Sequence, residues 1–247
     1  MGGLIEHLER LGYASWPAAE VERLGDWYLR FSSGYSGRAN AVLTLGAPGC
    51  SFEEAISRIA LAYHRRRIAA RVQLSPASPP GLDEALAAAG WSLRDCTHVM
   101  TAKCDRILQD VPHIDLVNDE PTTLWRDIFL AESNSPADGL ERLGVIARVP
   151  RPCTFAIARE ALGTPASIGL MIPQGKFAGI FGMRTQPQAR RQGLGRAILQ
   201  SLAMAARDHG ADNLYLQVTK TNLAAVSLYT KAGFERIYDY HYRMLSS

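Results

Sequence analysis

The sequence predicts an α/β chain in which one strand–helix–strand unit occurs twice. Three observations carry this. Amphipathic helical stretches alternate with short apolar runs of strand length, the pattern of α/β proteins. An internal repeat links the middle of the chain to its end. The length of 247 residues is long for one domain and short for two full ones at ~150 residues each. The repeat reads Val72, Gln73, Leu74, Ser75, then helix Leu82–Ala88, then Ala89, Gly90, Trp91 and a strand at 97–101. Its counterpart reads Leu216, Gln217, Val218, Thr219, then helix Leu223–Lys231, then Ala232, Gly233, Phe234 and a strand at 238–244. Gln73 and Gln217 lie 144 positions apart, Gly90 and Gly233 lie 143 apart. One residue of slip over that distance points to duplication.

Taken in order, the first copy spans 1–105. It opens with a helix at 4–11, followed by strands at 27–32 and 39–45, the latter with alternating apolar positions. A helix at 52–67 carries Ala55, Ile56, Ile59, Ala60 and Tyr63 on one face. Ser51 stands where its N-cap belongs, with Glu54 three residues on, as in a capping box. The segment 106–118, with Pro112 and mixed polar residues, reads as a linker. In the second copy, 119–247, Thr123–Ala131 and 139–147 read as helices, and 153–158, 165–173 and Phe177–Thr185 read as strands.

Composition excludes several classes. Hydrophobic residues make up 47% and charged residues 21%, an ordinary globular balance. The net charge of +3 is too small to suggest a nucleic-acid partner. Cys50, Cys96, Cys104 and Cys153 show neither disulfide-framework nor metal-ligand spacing, and the six histidines are scattered, so no metal is expected. No apolar run reaches the ~18–20 residues of a membrane span, and the N-terminus has acids where a signal peptide has none. A cytoplasmic protein with no membrane partner is the expectation. Oligomeric state is not readable.

The last predicted strand of that set, Phe177–Thr185, runs into Arg190, Arg191, Gln192, Gly193, Leu194, Gly195 and Arg196. A helix follows, with Ile198, Leu199, Leu202, Ala205 and Ala206 on one face and Gly210 at its end. Two glycines let the backbone come close to a bulky ligand. The first-turn amides lack intrahelical partners and sit at the positive end of the dipole. Three arginines surround them, so the loop has the makings of a pyrophosphate cradle. A third glycine and the acidic residue of a dinucleotide fingerprint are missing.

Arg190-x-x-Gly193-x-Gly195 resembles the Arg/Gln-x-x-Gly-x-Gly/Ala motif of the GCN5-related N-acetyltransferases (GNAT). The strand 214–218, Asn222, Tyr229 and Gly233-Phe234 follow in the order that family shows, and the resemblance covers about 119–244. Trp27–Phe31 followed by Gly34, Tyr35, Gly37, Arg38 and Asn40 resembles the start of a two-domain subgroup. The resemblance implies a tandem GNAT fold, a mixed central sheet flanked by helices with a degenerate N-terminal copy, acetyl-CoA as acyl donor, and a primary amine as acceptor in a ternary complex. It implies that strand 179–185 splays from its neighbour, and that main-chain groups of Met183 and Thr185 bond the pantetheine arm. Amides of Arg191, Gln192, Gly193, Leu194, Gly195 and Arg196 would hold the pyrophosphate, with Arg190 beside them. Asn222 would bond the pantetheine region and Tyr229 would protonate the leaving sulfur. Asn222 equally suits the N-cap of helix 223–231, Tyr229 equally suits a core position, and the arginines equally suit a solvated rim. Arg191 stands where the family often has glycine.

Two departures matter. The strand before the cradle has no acid to serve as base, which leaves Glu132 as the candidate or an amine that arrives neutral. The first copy has Gly46 to Glu54 in place of the cradle, with Glu53 and Glu54 at the helix start, so it is expected to bind no coenzyme A and to complete the acceptor cleft instead. Tyr35, Arg38 and Asn40 are candidates for that cleft, or for bonds within their own loop. A non-catalytic acyl-CoA sensor is the alternative function.

Overall fold

The computed structural model describes residues 2–108 and 114–245. Helix α1 (Gly2–Ser15) leads into a hairpin of β1 (Glu20–Leu24) and β2 (Trp27–Phe31). A 3₁₀ turn (Arg38–Asn40), β3 (Val42–Leu43), α2 (Phe52–Arg65), β4 (Arg71–Leu74), α3 (Leu82–Ala88), β5 (Ser92–Lys103) and α4 (Cys104–Ile107) follow. Then come β6 (Asp115–Asn118), α5 (Thr123–Ala131), α6 (Pro136–Ile146), β7 (Thr154–Arg159), β8 (Pro165–Gln174) and β9 (Phe177–Thr185). A 3₁₀ turn (Pro187–Ala189), α7 (Leu194–Asp208), β10 (Asn213–Thr219), α8 (Leu223–Lys231) and β11 (Glu235–Met244) complete the chain.

All strands among the described residues join one mixed sheet in the order β1-β2-β3-β4-β11-β5-β10-β9-β8-β7-β6. The last strand of the chain therefore lies between β4 and β5, and β5 lies between β11 and β10. Outward from the antiparallel β11–β5 pair the ladder types mirror one another: antiparallel to β4 and to β10, parallel to β3 and to β9, antiparallel to β2 and to β8. The register agrees with the repeat, since Gln73 sits opposite Tyr242 and Gln217 sits opposite Val99. Val99 and Tyr242 are 143 positions apart, the offset of the two Gly-aromatic pairs.

Side-chain alternation divides the core by sheet face. Tyr215, Tyr238, Tyr240, Tyr242, Phe181 and Val99 point to the face covered by α1, α5 and α6. Leu214, Leu216, Met100 and Ile180 point to the other face, under α7 and α8. Val72 and Leu74 face the α2 helix residues Ile56, Ile59 and Tyr63. Helix α1 crosses the middle of the sheet, and its Glu9, 2% exposed, bonds Tyr238 and Gln73. Burial raises the Glu9 carboxyl to about 7.

Several expectations shift at their edges. Ser51 caps α2 through Glu54 N as expected. Residues 39–45 form a 3₁₀ turn and a two-residue strand, because Asn40 Oδ1 takes the main-chain N–H groups of Ser32 and Gly34 and folds the segment into a turn. Strand β1 has almost no inward residues to reveal it: four of its five positions are exposed on the sheet edge. Strand β6 starts at Asp115, inside the segment read as a linker, and part of that segment lies outside the described residues. No helix among the described residues is long and apolar enough to cross a membrane.

Candidate active site

The parallel pair β9–β10 holds for three residues, from Asn213 opposite Phe177 to Tyr215 opposite Gly179, and then stops. Residues 180–185 remain bonded to β8 and residues 216–219 to β5. The sheet thus opens into a wedge with unpaired backbone edges on both sides. A bulge sharpens the divergence. On β8 the partners step from Leu170 to Ile168, while on β9 they step from Phe181 to Arg184. Gly182 takes up the extra residue at φ +60°, a conformation that favours glycine. Met183 and Thr185 lie on this bulged edge.

The wedge leads to the start of α7. Gly193, at φ +83°, is its N-cap and provides no side-chain cap, so the first amides of the helix are left for a ligand or water. Arg191 is also left-handed, at φ +65°. That explains why glycine suits this position and what the arginine departs from. Gly195 lets α7 approach α8: a Cβ there would lie 3.1 Å from Leu228 Cδ2. Arg191, Gln192 and Arg196 are exposed around the loop. Arg190 turns back instead, its Nε donating to Thr185 O at 3.2 Å and its Nη2 lying 3.3 Å from Glu132 Oε2. Glu132 ends α5, and its main-chain oxygen accepts from Arg184.

On the far side, Asn222 caps α8 by accepting from Ala225 N at 3.2 Å. Tyr229 is 7% exposed, its ring edge-on to Phe234 at 5.9 Å. Burial alone raises its hydroxyl to about 12, so it stays protonated throughout the neutral range. The expected residues therefore gather on β9, the cradle loop and α8, with Glu132 joined through Arg190.

The parallel pair in the first half of the chain does not open in this way. The parallel pair β3–β4 extends to Leu43 opposite Gln73, and Thr44 Oγ1 then donates to Gln73 O at 2.9 Å and meets Ser78 Oγ at 2.8 Å. At the start of α2, Ser51 caps the helix through Glu54 N, and the first turn carries Glu53 and Glu54.

Residues 3–244 match the family model described as probable histone acetyltransferase Rv0428c C-terminal. The chain belongs to this acetyltransferase family. The uncharacterized N-acetyltransferase YobR of Bacillus subtilis is 32% identical over 97% of this chain and 98% of its own. A GCN5-related N-acetyltransferase from Kribbella flavida superposes with a TM-score of 0.59 at 17% identity, covering 78% of this chain and 75% of that one. A tandem GNAT protein from the clavulanic acid biosynthesis pathway superposes with a TM-score of 0.60 at 15% identity, covering 79% and 70%. The fold is thus of the GNAT type, and the family is one of acetyltransferases.

Some residues near the wedge of this acetyltransferase are not evident from motif spacing. Trp16 stacks on Phe181 at 5.6 Å, Gln217 accepts from both Arg38 and Tyr240, and Arg184 lies over the Phe129 ring at 4.2 Å. The Nε of Arg184 is buried with no hydrogen-bond partner among the described residues. Burial lowers its guanidinium to about 10, with Arg142 adding repulsion. Of Trp16, Gln217 and Arg184, Gln217 alone carried a sequence signal, as the repeat partner of Gln73. Among the described residues, no group of three or more His, Cys, Asp or Glu could hold a metal.

Proposed function

We propose that this acetyltransferase moves the acetyl group of acetyl-CoA to a primary amine by direct attack in a ternary complex, using the second copy alone. The observation that carries the reading is the wedge between β9 and β10, which ends at an uncapped helix start. An extended pantetheine arm needs unpaired main-chain donors and acceptors along one edge; Met183 lies on such an edge, and Thr185, whose carbonyl accepts from Arg190 Nε, lies at its end. A pyrophosphate needs converging amides and positive charge, which residues 191–196 supply. Asn222 borders the same opening from the start of α8.

Acetyl-CoA supplies an acetyl group on a thiolate leaving group. The amine nitrogen forms the new C–N bond as the C–S bond breaks. The bulged β9 edge offers its N–H groups to the charge on the carbonyl oxygen. Tyr229 gives its proton to the sulfur, a role its burial suits because the hydroxyl keeps its proton throughout the neutral range. Glu132, held by Arg190 at the mouth of the loop, takes the surplus proton of the amine through water, and that proton returns to Tyr229. On this reading 1–105 is a reduced unit and 119–247 a working one, which the mirrored ladder order and the unopened β3–β4 pair support. Thiol release from acetyl-CoA with a panel of amines tests the reading. Acetyl-CoA-dependent release that needs an amine is expected, and none with any amine would contradict it.

A further inference from the structure

The mouth of the wedge on the α1 side is bridged by one side chain from the first copy. Arg38 Nη1 donates to Gln217 Oε1 at 3.1 Å, on the part of β10 no longer paired with β9. The same guanidinium lies 5.3 Å from the Phe181 ring, on the part of β9 no longer paired with β10, and 5.0 Å from the Trp16 ring. It therefore spans the two strands where they diverge. Its sole hydrogen-bond acceptor is a neutral amide, and it makes no ion pair among the described residues. A guanidinium has five N–H donors in a planar fork suited to a carboxylate or phosphate, and here one is used.

The position of Arg38 is built. Glu141 of α6, 7% exposed, accepts from Tyr35 N at 3.0 Å, Ser36 N at 2.6 Å and Asn40 Nδ2 at 2.9 Å. Trp16 Nε1 donates to Ser36 Oγ at 3.0 Å. A buried carboxylate with three donors is a strong tether, and it fixes the loop of the first copy to a helix of the second with Arg38 directed at the opening. Asn40 thus serves the loop itself. The nearby carboxylates are engaged elsewhere: Glu141 with these donors, Asp138 with Arg142, and Glu132 with Arg190. Three residues beyond Phe181, Arg184 is a second cation without an ion pair among the described residues.

We propose that the acceptor amine carries an anionic group, a carboxylate or a phosphate, and that Arg38 binds it across the mouth of the wedge. This rests on the acetyltransferase reading and deepens it by naming the acceptor class. The reduced copy then has a function in the site: it supplies the group that selects the acceptor, with Glu141 as the positioning residue behind it.

The test uses the full chain and matched acceptor pairs. One arm sets α-, β- and γ-amino carboxylates against their amides, and the other sets aminoalkyl phosphates against the amino alcohols. Acetyl-CoA binding is measured separately by calorimetry. Wild type should show kcat/KM at least tenfold higher for the anionic members of one arm, which also tells carboxylate from phosphate. Arg38→Met, which keeps an apolar stem on Trp16 and Phe181, should still bind acetyl-CoA and lose the preference through KM. Arg38→Lys, with the charge but not the fork, should retain part of it. Equal use of neutral partners by wild type would overturn the proposal. So would a fall in kcat shared by anionic and neutral acceptors in Arg38→Met, or no turnover by a chain that binds acetyl-CoA. If wild type does not bind acetyl-CoA, the acetyltransferase reading fails first and takes the acceptor proposal with it.

Discussion

Replacing Gly193 by aspartate or by asparagine separates backbone strain from charge at the cradle. Gly193 has φ +83°, and a Cβ built there meets nothing within 4 Å. Space is therefore available, and the cost of any side chain is conformational. Asparagine and aspartate tolerate the left-handed region better than other residues, at roughly 1 kcal/mol or less. The two variants share that cost and nearly the same shape, so their difference is one negative charge at the helix start. At ~6 Å from a phosphate, with an effective dielectric of ~20–40 near a surface, one charge pair is worth about 1.4–2.8 kcal/mol. Gly193→Asp should thus bind acetyl-CoA about 10- to 100-fold more weakly than Gly193→Asn, and raised salt should narrow the gap because the loop is exposed. Calorimetry at two ionic strengths reads both effects, and thermal melts should place the two variants close together. Equal affinities for the two would refute the assignment of this loop to a pyrophosphate.

Tyr229→Phe should lower kcat by about 10²–10⁴-fold, the usual range for a general acid, with unchanged acetyl-CoA affinity in calorimetry; an unaltered rate would remove the hydroxyl from the chemistry. Because burial raises Glu9 from the usual carboxylate range to about 7, the folded state holds a proton that the unfolded chain releases above its ordinary value of 4.5. Stability from this group is therefore full below ~4.5 and declines as pH rises toward ~7. Melting temperature should fall over that window, and Glu9→Gln should flatten the decline. Gly169→Ala should destabilise by about 1–3 kcal/mol in denaturant unfolding, since its Cβ would lie 2.5 Å from Ile198 Cγ2, 2.8 Å from Met183 Sδ and 3.0 Å from Leu202 Cδ1. A loss of less than ~0.5 kcal/mol, the usual range of an ordinary surface change, would mean that α7 does not sit that tightly on β8.

The helices were legible where periodicity and caps agree, as at Phe52–Arg65 and Leu223–Lys231. The repeat was legible because Gln73 and Gln217, and Gly90 and Gly233, kept their spacing. Its consequence in space was not: the insertion of β11 between β4 and β5 depends on pairing between residues about 140–170 positions apart, such as Arg243 with Val72 and Tyr242 with Gln73. The candidate loop was legible because Gly193, Gly195 and the arginines are close in sequence. Its detail was less so, since the direction of Arg190 is set by Glu132, 58 residues away. Arg38 could be singled out but not placed, because Glu141 holds its loop from 105 positions further on.

The most direct measurement is hydrogen–deuterium exchange of the full chain with and without acetyl-CoA, at a concentration where calorimetry gives the stoichiometry. The account predicts one molecule per chain, with protection at residues 182–185 on the bulged strand and at 191–196 at the start of α7. Two molecules per chain, or protection at 44–54 in the first copy with none at the second wedge, would contradict it.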